Sequence, residues 1–268
     1  MRIKAQIPNI LTLGNLACGF FAIIVALKGM PGASEVWLIA GLMATAMVLD
    51  FFDGFVARLL KVSSPLGGQL DSLADAVTFG ILPGVLVFQM ISGHVDMMDH
   101  WIFEPENRIS LTWISYLPLL AVAIPVLSIY RLGKFNLDER DGGVFYGLAT
   151  PANAFFFLSL FMICVLNNPE YAFNSNVEPT SFITKILVSL TNPIPLTILI
   201  LVFSGLLVSE FKLIAFKFKS YGFGENWPRY IFLICSLILI AIFFYKAVPL
   251  VILLYFAFSI VDNYILKK

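Results

Sequence analysis

Nearly charge-free apolar runs alternate along the chain with short polar clusters, and these runs set its organisation. Each is long enough, at roughly 20 residues, to cross a bilayer as a helix. They predict eight spans, near 8–28, 36–60, 68–92, 111–133, 144–168, 191–216, 229–246 and 247–264. The last two are separated only by the tight break "YKAVPLV", in which Pro249 suits the first turn of a new helix. Pro83, Pro118, Pro125 and Pro195 predict kinks or irregular ends, which membrane helices tolerate when neighbours satisfy the freed carbonyls. No Gly/Ser linker, low-complexity tract or fixed-period repeat breaks the series. One all-helical, polytopic membrane domain over residues 1–268 is expected, with the helices of 229–264 peripheral.

Composition leads the same way. Of the 268 residues, 59% are hydrophobic and 13% charged, against about 25% charged in soluble domains. That leaves too little polar material to cover a water-facing globule. The opening "MRIKAQIPNILTLGNLACGF" has the basic start and apolar stretch of a signal peptide but no small-residue cleavage site, so it reads as a retained first helix. A formal net charge of zero gives no sign of a nucleic-acid partner. Cys18, Cys164 and Cys235 lie inside apolar runs without metal spacing and are expected to be buried thiols.

Loop charges predict the orientation. With a cytosolic N-terminus, thirteen of the 17 Lys and Arg residues fall inside. Only Lys28, Arg108, Lys185 and Lys246 fall outside. This is a strong positive-inside asymmetry. It places the N- and C-termini, and the first inner loop near residue 61, on the cytosolic side of the cytoplasmic membrane.

That loop carries the chemistry. Four of the nine aspartates sit in "LDFFDGFVARLLKVSSPLGGQLDSLAD", residues 49–75. Asp50 and Asp53 share one helix face with Gly54 and Ala57, and Gly67, Asp71 and Asp75 share a face of the next helix. Pro65 is suited to start that second helix, so two antiparallel helices would bring four carboxylates together just below the cytosolic surface. An uncompensated carboxylate in a membrane helix costs about 2.5–3.5 kcal/mol even on the lenient insertion scale. Arg58 alone cannot neutralise four of them. Divalent cations can, since Mg²⁺, Mn²⁺ and Ca²⁺ all take oxygen-only ligands. Four carboxylates suffice for two ions about 3.5–4 Å apart, an arrangement suited to in-line displacement at phosphorus. Gly54, Ala57 and Gly67 leave room for a diphosphate and nucleotide, and Arg58 offers a planar donor to phosphate oxygens. Two other readings fit the same residues: a solvated pair of helix ends, and a cation-transport pathway.

The spacing Asp50-x₂-Asp53-Gly54-x₂-Ala57-Arg58-x₈-Gly67-x₃-Asp71-x₃-Asp75 resembles the signature of the CDP-alcohol phosphotransferases at every fixed position. Its chance occurrence is on the order of 10⁻¹⁰ per start position at average residue usage. Within that superfamily the flanks resemble the membrane-embedded (type II) phosphatidylserine synthase branch. The similar segments are "IPNILTLGNLACGFFAI" (7–23), "YRLGKFNL" (130–137), "FYGLATPANA" (145–154) and "LLVSEFKLIAFKFK" (206–219). Departures include Gly133 and Lys134 in place of Ala and Arg, Ala149 in place of Pro, and Asn153 in place of Ala.

The resemblance implies transfer of phosphatidyl from CDP-diacylglycerol to the hydroxyl of L-serine, with release of CMP, in a homodimer surrounded by membrane lipids. It implies that Asp50, Asp53 and Asp71 ligate two divalent ions, Mg²⁺ or Mn²⁺, with Ca²⁺ able to occupy the same ligands. Asp75 would be the general base and a further metal ligand. Gly54, Ala57, Arg58 and Gly67 would form the CDP cradle. The carboxylate of serine needs a cationic partner, for which Arg131 and Lys134 are the candidates, with Asn136 as an added donor. Other acceptors for the same chemistry are glycerol 3-phosphate, an inositol phosphate or another amino alcohol. The transport reading requires polar residues through the outer half of these helices, where the sequence is instead "GLMATAMVL" and "GILPGVLVF". His94 and His100 are predicted on the opposite side of the membrane, so histidine chemistry is not expected at the aspartates.

Overall fold

A computed structural model describes residues 6–29, 31–62, 64–102, 114–137, 145–167, 181–214 and 223–261. Arg2, Lys4, Arg108, Arg140, Lys217, Lys219, Lys267 and Lys268 of the charge count lie outside those residues, as does the side chain of His100. The architecture is helical throughout: α1 Gln6–Leu27, α2 Ala33–Leu60, α3 Pro65–Asp75, α4 Leu82–Ile102, α5 Ala123–Asn136, α6 Thr150–Asn167, α7 Phe182–Ser189, α8 Pro193–Val208, α9 Phe223–Phe243 and α10 Ala247–Ile260. A two-residue antiparallel pairing joins β1, Phe145–Tyr146, to β2, Lys212–Leu213. Apolar side chains cover the outside as well as the core, including Phe20 and Phe21 on α1, Phe51 on α2 and Leu237 on α9. An all-round apolar helix surface is what a bilayer solvates, so this is an integral membrane protein.

Six helical segments among the described residues are long and apolar enough to cross a membrane, or seven if the bent pair α7–α8 is one span. The expected eight differ from this at the C-terminal end. Residues 226–260 pass as one continuous segment, yet the Phe232 ring lies 6.2 Å from that of Phe258. A straight helix would hold those residues about 39 Å apart at 1.5 Å per residue. The chain therefore reverses near Phe244, whose φ is +51°, and α9 and α10 form the hairpin that the "YKAVPLV" break predicts. The reversal is anchored on α6, where Ser159 Oγ donates to the Tyr245 carbonyl at 2.6 Å and Asn167 Nδ2 to the Tyr245 hydroxyl at 2.8 Å. The short helix α7, bent 77° from α8, has no counterpart in the predicted spans.

Prolines shape the central span. α3 and α4 are joined by a π-helical turn, Ala76–Ile81, in which the Leu82 amide donates to the Val77 carbonyl. Pro83 follows directly. Its ring cannot sit over the carbonyl four residues back and it has no N–H to give, so the ladder widens just upstream. Pro118 lies inside a 3₁₀ segment, Ile114–Val122, that leads into α5.

Close approaches set the packing around this span. α1 runs antiparallel to α2, with Thr12 against Asp53 and Gly14 against Leu49. It runs parallel to the α3–α4 span, with Asn9 beside Gly67 and Asn15 beside Asp75. α5 returns antiparallel on another side, bringing Asn136 to Ser72, Ser128 to Gly80 and Pro125 to Gly84. α6 is the most enclosed helix and touches α2, α4, α5, α10 and the π turn.

Helix ends sort into two sets that meet among themselves. Lys246 Nζ donates to Thr184 Oγ1 at 3.4 Å, next to Lys185 in sequence. At the other end Lys134 pairs with Glu210 at 3.5 Å, near the β1–β2 pairing.

A Cβ on Gly19 would lie 2.9 Å from Thr78 Cα on the π turn. Backbone cannot yield as a flexible side chain does, and such overpacking costs about 1–3 kcal/mol. Gly19→Ala is expected to lower the thermal midpoint of the protein in detergent despite alanine's better helix propensity. An unchanged or raised midpoint would contradict the packing described.

Candidate active site

Three helices build the acidic site. α2 is 28 residues long, about 42 Å at the helical rise, against about 30 Å of bilayer hydrocarbon. The helix therefore exceeds the hydrocarbon by about 12 Å, roughly two turns. α2 ends at Lys61, whose left-handed backbone (φ +53°) turns the chain. Ser64 then caps α3, its hydroxyl accepting from the Gly67 amide at 3.0 Å, with Pro65 in the first turn. This is a Ser-Pro helix start with its cap satisfied, and it turns α3 back alongside α2.

The result brings Asp50, Asp53 and Asp71 together, with ligand oxygens all within 4.8 Å of one another. Asp53 is buried, and Asp50 and Asp71 are half-buried. Asp75, one turn beyond Asp71, is within interaction distance of both Asp50 and Asp71. Carboxylates this close repel unless a proton or a cation lies between them. Hard oxygen donors from two rigid helices are what a divalent cation of the Mg²⁺, Mn²⁺ or Ca²⁺ type takes, and the donor set fits one.

α1 completes the site. Thr12 Oγ1 donates to Asp53 Oδ2 and Asn15 Nδ2 donates to Asp75 Oδ1 at 3.2 Å. Each donor fixes one carboxylate and leaves its other oxygen for a ligand, the arrangement expected of groups that orient metal-binding side chains. The sequence reading did not single out Thr12. The available signal is the spacing Asn9, Thr12, Asn15, a polar stripe along one face of an otherwise apolar helix.

A cavity of about 230 Å³ opens beside the aspartates, between α1, the end of α2 and the start of α3. Asn9, Thr12, Asp53, Gly54, Ala57, Gly67 and Asp71 are among its walls. Its size depends on the small residues. A Cβ on Gly67 would stand 3.3 Å from Asn9 Oδ1 and 3.2 Å from Ser64 Oγ, closing the space between α1 and α3. Arg58 is exposed on the last turn of α2, outside this lining.

Arg131, Lys134 and Asn136 are not brought together. Arg131 is buried and its Nη1 donates to Thr150 Oγ1 on α6 at 3.1 Å. Lys134 is exposed and paired with Glu210, while the exposed Asn136 donates to Ser72 Oγ on α3 at 2.7 Å. His94 is buried on α4, its Nδ1 2.8 Å from the Met90 carbonyl. It lies nineteen residues past Asp75, about 28 Å at the helical rise.

Comparison with known proteins agrees with this geometry. The family model for CDP-alcohol phosphatidyltransferase matches residues 5–261. The chain is 31% identical over 146 residues to a CDP-diacylglycerol–serine O-phosphatidyltransferase of Bacillus subtilis, covering 54% of this chain and 69% of that protein. It is 32% identical over 155 residues to the protein of the same name from Mycobacterium bovis, covering 55% of this chain and 46% of the relative. It is 28% identical over 152 residues to the archaetidylserine synthase of Methanothermobacter thermautotrophicus, again over 55% of this chain and 54% of the relative. The chain thus spans about two thirds of the Bacillus protein and under half of the mycobacterial one. With the acidic motif assembled on facing helices and the family model running almost from end to end, this chain belongs to the CDP-alcohol phosphatidyltransferase family.

Proposed function

We propose that this membrane enzyme transfers phosphatidyl from CDP-diacylglycerol to the hydroxyl of L-serine, giving phosphatidylserine and CMP. The observation that carries this reading is the meeting of Asp50, Asp53 and Asp71 beside a cavity with Gly54, Ala57 and Gly67 in its wall. The relatives named for serine transfer support the acceptor. In this reading the site and both termini face the cytosol, which the thirteen-to-four charge asymmetry supports, and the enzyme works as a homodimer.

In the reaction a bond forms between the serine oxygen and the phosphatidyl phosphorus. The phosphoanhydride bond to the CMP oxygen breaks. Asp75 accepts the hydroxyl proton, held in place by Asn15. Asp50, Asp53 and Asp71 would hold two divalent ions, Mg²⁺ or Mn²⁺, which would supply positive charge to offset the diphosphate and the leaving oxygen. Thr12 keeps Asp53 turned toward that cluster. Gly54, Ala57 and Gly67 let the CDP group approach the backbone, and Arg58 meets its phosphates from the rim. Arg131 supplies the cation that faces the serine carboxylate.

The purified chain is expected to release CMP from CDP-diacylglycerol only with L-serine and Mg²⁺ or Mn²⁺ present. Release with glycerol 3-phosphate, an inositol phosphate or another amino alcohol, but not serine, would replace the acceptor. No release with any alcohol would sink the enzymatic reading of the site.

Asp75→Asn removes the base and keeps the shape. Turnover is expected to fall about 10²–10⁴-fold while CDP-diacylglycerol and metal still bind. Retained turnover would remove Asp75 from the proton transfer, and lost metal binding would make it a ligand first.

A further inference from the structure

The π turn that follows Asp75 is packed by α1, α5 and α6, and each of these helices carries a buried polar side chain with at least one atom that has no hydrogen-bond partner among the described residues. Asn153 on α6 is fully buried, and neither its Nδ2 nor its Oδ1 has a hydrogen-bond partner among the described residues. Ser128 on α5 is fully buried, its Oγ has no hydrogen-bond partner among the described residues, and it stands against Gly80 of the π turn. Asn15 on α1 uses its Nδ2 on Asp75 and its backbone carbonyl on Thr78, and its Oδ1 is unpartnered. Natural proteins rarely leave such atoms unmatched, because each forfeits its hydration without a replacement. Four on three helices around one turn make a set.

Their depth is shared. Arg131 on α5 donates to Thr150 on α6. Ser128 lies one turn before Arg131 and Asn153 one turn after Thr150, on the same faces. Because successive spans run in opposite directions, both steps lead to one level, deeper than the ion cluster. Gly80, which marks that level, is five residues past Asp75, about 7 Å at the helical rise. That is the reach of a small amino acid whose hydroxyl stays at Asp75. The chemistry is also complementary. An amino acid brings an ammonium, which needs oxygen acceptors, and a carboxylate, which needs donors beside a cation. Asn153 offers one of each, Asn15 Oδ1 is an acceptor, Ser128 is either, and Arg131 is the cation.

We infer that Asn153, with Ser128 and Asn15, forms a subsite around the π turn that binds the amino-acid end of the acceptor and sharpens selection for it. The inference rests on serine being the acceptor. The subsite atoms are sealed from solvent, so binding of the acceptor there requires the π turn to shift, and π-helical turns are frequent at functional sites.

Asn153→Ala removes a buried amide that has no hydrogen-bond partner among the described residues, so the thermal midpoint should stay unchanged or rise. The KM for L-serine is expected to rise about three- to tenfold, the worth of one or two hydrogen bonds, with the KM for CDP-diacylglycerol unchanged. Ser128→Ala should shift the serine KM in the same direction. Serine-dependent CMP release with the same serine KM in both variants as in the unaltered chain would overturn the subsite alone. A matched loss toward both substrates, with a lowered midpoint, would make Asn153 a packing residue and also overturn it. Failure of the unaltered chain to release CMP with serine would instead overturn the functional reading beneath it.

Discussion

Four carboxylates crowded at the edge of a hydrocarbon layer are the constraint on which the rest of the structure depends. Their repulsion and desolvation oppose folding, and a single arginine on the last turn of α2 does not cancel them. The surrounding helices nevertheless converge on the cluster. α2 exceeds the hydrocarbon by about two turns, the Ser64–Pro65 start folds α3 back on it, and α1 closes the group with Thr12 and Asn15. Such convergence is intelligible if the acids act as ligands, since a cation between them turns mutual repulsion into shared attraction.

Close backbone approach is how the fold holds this geometry. Gly19 meets Thr78, Gly80 meets Ser128, and Gly84 meets Pro125, so α1 and α5 grip the α3–α4 span from two sides. In a bilayer, where apolar burial gives little drive for helix association, contact between small residues supplies the packing. The grip is tightest at the π turn, next to Asp75. The position of Asp75 and the winding of the π turn therefore depend on the same few contacts.

Much of this was legible in the sequence because it is local. The spacing of Asp50, Asp53, Asp71 and Asp75, the turn at Pro65 and the reversal before Pro249 each depend on neighbours in the chain, and each is found in the structure. What could not be read depends on partners far along the chain. Thr12 is an ordinary threonine in an apolar helix until Asp53 arrives from 41 residues away. Lys134 pairs with Glu210, a partner that its sequence neighbours do not reveal. Asn153 read only as a departure from a motif, and that its buried amide has no partner among the described residues is visible only in the structure. The π turn could have been suspected from Pro83, but its winding depends on what packs around it.

If the aspartates form a divalent-ion site, Mn²⁺ titration of the protein in lipid nanodiscs, followed by electron paramagnetic resonance, will report it. Two bound ions per chain should appear, with the spin coupling of a pair about 3.5–4 Å apart, and Asp50→Asn should abolish the coupled signal. No bound ion, or the same coupled signal in the Asp50 variant, would contradict the account.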